Sequence, residues 1–316
     1  MVSPRLKWVL ICSLATTWLS PDNLLVVLAR ETESAAVVIF WKYTFSTVAM
    51  WLGTSWYLGG FRPTLEQLKD GGSDAVLGAC FMAGCNAMLS IAFMETSSAN
   101  ALLLFSLHVV WAALGGALIL KDKLPVRTWA MVAVGVASAV AVFAGGGHGG
   151  GEGAGSLYGD FMAAGAGVCF ASLMLLFRAL SKNKPDLSSL PITSLGSTLA
   201  IFVGLGLSGG DVWFSDPRSA APLLFVDGGV LIASAMLVYA ASPKHLTAAE
   251  VTLICLLEPA LGPVWVYVGI GEAPSVTSVA AGVAFIGCLV VHEVIGMREA
   301  VREAQWKERG GGIEQL

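Results

Sequence analysis

The chain is 316 residues long, 56% hydrophobic and only 13% charged. A soluble domain carries roughly 25% charged residues, so composition excludes an ordinary water-soluble globule. The formal net charge is −4, and no basic surface is present, so nucleic acid is excluded as a partner.

The predicted fold class is an all-α integral membrane protein. About ten segments are long enough to cross ~30 Å of hydrocarbon as helices. The first, Trp8–Ala29, follows Arg5 and Lys7 and resembles a signal peptide at its start. It runs past signal-peptide length without a clear cleavage site and reads as an uncleaved span. Within it, Pro21 lies between Ser20 and the pair Asp22-Asn23, where it either kinks the helix or breaks it and exposes backbone groups to a solute. The second span, Ala35–Leu58, carries Lys42. Asp22 and Lys42 are each ten residues from a hairpin apex near Thr32, so they lie at equal depth and can meet. An isolated charge there costs at least ~2.5–3.5 kcal/mol, which pairing relieves. The pair is either structural, or Lys42 presents its charge to a substrate while Asp22 holds it in place.

The third span, Ala75–Phe93, places Asn86 at mid-depth, and the fourth, Ala99–Leu120, does the same with His108. Asn86 is a candidate hydrogen-bonding group toward a cavity. A lone histidine in an apolar helix is a satisfied packing residue or a ligand to substrate. The fifth span is Trp129–Ala144. Next comes Gly145–Gly155, eleven residues with eight glycines, which has no side chains to bury and reads as a flexible linker over 146–156. The second half continues with Leu157–Leu180, Leu190–Leu207, Pro222–Ala241, Ala249–Ile270 and Val276–Ile295, then a charged tail over 298–316. Glu258 sits near the middle of the ninth span beside Pro259 and Pro263. A carboxylate at that depth is costly to ionise unless paired, which makes Glu258 a candidate proton carrier. It can equally hydrogen-bond carbonyls freed by the prolines.

Of the 18 Lys and Arg residues, Arg30 and Arg218 fall on one side of this topology, Lys42 lies within a span, and all the rest fall on the other. That bias places both termini in the cytoplasm. Five spans per half is an odd number, so the halves, 1–145 and 157–297, run in opposite directions. Residues 96–125 lie over 246–275 at an offset of 150, with Ala99/Ala249, Leu103/Leu253 and Leu107/Leu257 identical and His108 falling on Glu258. Ten helices as two inverted five-helix repeats is a transporter architecture.

Leu257-Glu258-Pro259 followed by Gly271-Glu272, Gly159-Asp160 opening the second half, Trp41-Lys42-Tyr43, and the Trp18–Asn23 stretch together resemble the drug/metabolite transporter superfamily, EamA-type. The resemblance covers nearly the whole chain. It implies two inverted five-helix repeats around a central cavity lined mainly by the first four helices of each half. Val109 stands where the second repeat has Pro259, and Pro21 replaces a glycine-like position, so the match is weaker in the first repeat.

The expected function is therefore secondary transport by alternating access, with Asp22, Asn23, Lys42, Asn86, His108 and Glu258 as candidate substrate-binding or translocation residues, and with proton coupling. Phosphorylated substrates need several cations, and Lys42 is the one deep basic residue. A neutral, zwitterionic or singly charged metabolite fits better than a nucleotide sugar or organic phosphate. The six cysteines lie in apolar runs without metal-ligand spacing, so no metal or cofactor is expected. Small-residue rows (Ala133, Ala137, Ala141; Ala280, Ala284) suit scaffold helices or a homodimer face. A serine hydrolase built on Gly206–Gly210, Asp216 and His245 is the remote alternative, because Ser208 ends an apolar helix where that motif needs a strand-to-helix turn.

Overall fold

The computed structural model describes residues 4–96, 98–121 and 156–271, together with scattered residues between 126 and 137 and between 280 and 295. The fifth and tenth spans lie largely outside the described residues, and the glycine linker and the charged tail do so almost entirely.

Every described element is helical. Helix α1, Pro4–Leu19, is followed after Ser20-Pro21 by α2, Asp22–Arg30. Proline has no N–H to donate and its ring clashes with the preceding turn, so the first span is broken. The second span is α3, Ala35–Tyr57, started by Ser34, whose hydroxyl accepts the Val37 N–H at 3.4 Å. Helix α4, Phe61–Glu95, is longer than the predicted third span. It turns at Gly72 with φ 54° and ψ −129°, a conformation open only to glycine, so a polar segment bearing Arg62, Glu66, Lys69 and Asp70 precedes the apolar one. The fourth span is two helices, α5, Ser98–Phe105, and α6, His108–Leu118.

In the second half, α7 is Leu157–Asn183 and α8 is Leu190–Ser208. The eighth span runs as α9, Pro217–Leu224, a π-helical stretch Phe225–Ile232, and α10, Ala233–Ala241. The ninth is α11, Ala248–Cys255, and α12, Leu257–Ile270, started by a Thr247/Glu250 capping box and ended by Gly271 in the left-handed region. Helices α5 and α11 begin and end 150 residues apart, the offset at which their sequences overlay.

Among the described residues, seven helices are long and apolar enough to cross a membrane. Their outward faces are apolar as well: Leu14 is 71% exposed, Leu52 67% and Val268 71%. A water-soluble surface does not carry apolar residues this densely; an integral multi-pass membrane protein does. Inside, α4 packs on α7 and α8, and α3 packs on α8, on the π-helical stretch and on α10. Helices α1 and α2 meet α9, α10, α11 and α12, while α5 and α6 meet α7, α11 and α12.

Candidate functional site

The break at Pro21 creates a helix N-terminus inside the protein, and Asp22 is the first residue of the helix that restarts there. A carboxylate is favoured at such an end by the unpaired N–H groups and the helix dipole. One helix away, Lys42 donates from Nζ to Asp22 Oδ1. Equal distance from the hairpin apex thus brings the two charges together, as the sequence spacing implies. Lys42 is 1% exposed and ranks among the largest fully buried side chains, a rare environment for lysine.

A third member joins them. Asp227 Oδ2 lies 3.1 Å from Lys42 Nζ, and Asp227 is 0% exposed. Two features deliver it. The π-helical stretch re-aims the backbone of the eighth span at this residue, a common use of such turns. Gly228 then lets that backbone press on the second span: a Cβ there would collide with the carbonyl of Lys42. The sequence reading missed Asp227, although an aspartate inside an apolar span is itself a signal of function.

Beside the cluster is a cavity of about 30 Å³, room for about two water molecules. Asp22, Lys42, Asn86 and Glu258 line it, with Tyr43, Phe93, Phe105, Phe170 and Tyr239 among the walls. Tyr43 donates to the Asn86 carbonyl at 2.8 Å and pairs with Ser90 Oγ at 2.9 Å. Tyr239 pairs with Thr16 Oγ1 at 2.8 Å, joining the eighth span to the first. The Asn86 amide nitrogen, buried, has no hydrogen-bond partner among the described residues, so it is the group at the cavity with a donor to spare. Four of the six expected site residues therefore surround one cavity.

Asn23 and His108 do not line it. Asn23 is buried one residue along α2. His108 is wholly buried, with Nδ1 2.7 Å from the Phe105 carbonyl and Nε2 3.0 Å from the Thr252 carbonyl. Each ring nitrogen lies within hydrogen-bond distance of a backbone carbonyl at the breaks of the fourth and ninth spans, and the neutral ring donates to one of the two. Its backbone contacts, and its place off the cavity wall, are those of a packing residue.

Each end of the molecule is tied. At one, Arg5 donates to Glu250 Oε1 at 2.5 and 3.1 Å, Trp8 stacks on His245, and Arg178 donates to the Pro243 carbonyl. At the other, Glu33 accepts the backbone N–H groups of Ser215 and Asp216, while Trp41 donates to the Val212 carbonyl and stacks on Phe214. The cavity lies between these two sets of contacts.

No protein-family model and no curated protein matches the chain. Among solved structures, 27 chains match it. One, solved as a crystal structure, superposes with a TM-score of 0.70 at 16% sequence identity, covering 92% of this chain and 98% of its own. At that identity the likeness carries the fold alone: nearly the whole chain is arranged as in a protein already seen by crystallography.

Proposed function

We propose that the chain is a secondary transporter that moves a small neutral, zwitterionic or singly charged metabolite across a membrane by alternating access. The observation that carries this is the buried Asp22–Lys42–Asp227 cluster at a small cavity that Glu258 also lines. Charges this deep in apolar helices mark translocation paths. A cavity tied off at both ends is what an occluded carrier contains between its two open states.

The inverted repeat belongs to this reading. Exchanging spans one to four with six to nine maps the packing pairs onto one another: three on six becomes eight on one, three on seven becomes eight on two, and two on seven and four on nine map onto themselves. The matching bounds of α5 and α11 support the same relation. Together with the lysine and arginine bias, this favours ten helices, both termini cytoplasmic, and membership of the drug/metabolite transporter superfamily.

A nucleotide-sugar or organic-phosphate antiporter fits less well. Lys42 is the basic side chain on the cavity, and two carboxylates already hold it. Amino-acid-like solutes suit the mixed charge better. The hydrolase alternative needs Ser208 beside His245. His245 follows Lys244, which reaches the Pro185 carbonyl near the start of α8, whereas Ser208 ends that 19-residue helix, about 27 Å away along its axis.

The test is uptake into proteoliposomes across a metabolite panel, with and without a pH gradient. Saturable transport of a low-charge solute, driven by the gradient in the wild type and indifferent to it in Glu258→Gln, is expected. Saturable nucleotide-sugar exchange would overturn the substrate class. Gradient-driven transport that survives Glu258→Gln would remove Glu258 as the proton carrier.

A further inference from the structure

We propose that the Asp22–Lys42–Asp227 cluster is a proton-binding site in its own right, separate from Glu258, in which the two aspartates facing Lys42 share one proton. Its consequence for coupling rests on the transport reading above; the site itself does not.

The argument begins with charge. Two carboxylates and one ammonium, all ionised, leave one uncompensated negative charge. Lys42 and Asp227 are buried almost completely and Asp22 nearly so. A net charge so placed is expensive, and one added proton neutralises it. A metal ion is the less suitable compensator, because the Lys42 ammonium already occupies the space between the carboxylates.

Hydrogen bonding gives the second, independent indication. Asp22 accepts from Lys42. Asp227 is 3.1 Å from the same ammonium, yet neither of its oxygens accepts a well-aligned hydrogen bond among the described residues. Buried carboxylate oxygens left in that state are rare. Both carboxyl groups face the same ammonium, so a proton held between them supplies the missing bond: one carboxyl donates O–H and the other accepts.

Among the described residues that line the cavity, Lys42 is the one cation. Lys42 and Tyr43 face the cluster from α3, and Tyr43 has its hydroxyl committed to Asn86 and Ser90. Cys85, Asn86 and Ser90 come from α4, Tyr239 from α10, and Glu258 from α12 across the cavity. The route for exchange is also defined. Asp22 lines the water-sized cavity whereas Asp227 lies behind it. Release breaks the shared O–H at Asp22 and passes the proton to cavity water, leaving the cluster one charge more negative. Two such carboxylates titrate as a unit, in macroscopic steps, so either aspartate alone is enough to abolish the site when replaced.

Infrared spectroscopy of the full-length protein in lipid, titrated with pH and without any substrate, reads the carboxylic-acid C=O band directly. A band present at low pH and lost as pH rises is expected to vanish in both Asp22→Asn and Asp227→Asn. A different band should vanish in Glu258→Gln. Each Asn variant keeps one neutral Asp–Lys pair, so both should elute and melt like the wild type. The proposal is overturned if a folded Asn variant keeps the wild-type bands. It is equally overturned if both variants fail to fold, because that would mean two ionised carboxylates are required. Intact bands without transport by the wild type would count against the transport reading alone.

Discussion

Lys42 shows what a single side chain is asked to carry. It is buried at mid-span between carboxylates from the first and eighth spans. Removing one partner of a buried charged group strands the other and costs roughly 3–5 kcal/mol. Replacing every member with neutral groups of similar volume is close to neutral. Lys42→Met should therefore lower the detergent melting temperature sharply, while Lys42→Met combined with Asp22→Asn and Asp227→Asn recovers most of it. A triple variant no more stable than Lys42→Met would show that packing at Lys42, and not charge, holds the three spans together. Two of the three members were legible in the sequence, because Asp22 and Lys42 are neighbours across one short hairpin and depth follows from counting. Asp227 is 185 residues from Lys42. Its approach depends on a π-helical turn and on a side chain that Gly228 lacks, neither of which leaves a local periodicity to read.

The helix breaks repeat the lesson one level up. The break at Pro21 is written in the residue itself. The break at Leu256 is explained by Pro259, which has no N–H for the Cys255 carbonyl four residues back. At offset 150 its counterpart is Val109, which does have an N–H but donates it to Ser106 at 3.2 Å. The Phe105 carbonyl thus released is taken by His108 Nδ1, and Ser106 bonds back to the Leu102 carbonyl at 2.7 Å. A histidine and a serine do in the first half what a proline does in the second, so sequence comparison registers only a mismatch where the backbone agrees. A neutral imidazole carries one N–H, so His108→Ala strips the donor from one of these two buried carbonyls, a loss worth about 1–3 kcal/mol. We expect a lowered melting temperature, with proton-driven uptake intact in the protein that remains folded. His108→Gln, which restores one bond, should recover part of the loss. Transport abolished in a stably folded His108→Gln would place the histidine in the translocation path instead.

At the scale of the whole molecule, the transport proposal requires that the two tied ends set how often the cavity opens to each side. The Arg5–Glu250 pair is partly exposed, its side chains 32% and 20% accessible, and such pairs are worth about 1 kcal/mol at most. Glu33 is buried and accepts two backbone N–H groups at 3.0 and 2.8 Å. Hydrogen bonds to a charged group are worth about 1.5–3 kcal/mol each, so the Glu33 end is the stronger of the two. Cys85 lines the cavity and reports its accessibility without adding a probe. In a background with the other cysteines replaced, a membrane-impermeant thiol reagent can be applied to one face of oriented vesicles at a time. Arg5→Ala should raise the labelling rate of Cys85 about fivefold from the face that bears Arg5, the change that ~1 kcal/mol confers. Glu33→Ala should raise it tenfold or more from the opposite face, since losing even one such bond exceeds that threshold. Each substitution favours opening at its own end, and a carrier open at one end is closed at the other, so labelling from the far side should fall in both. An increase from both faces at once would describe a channel or a loosened fold, and it would end the alternating-access interpretation of this cavity.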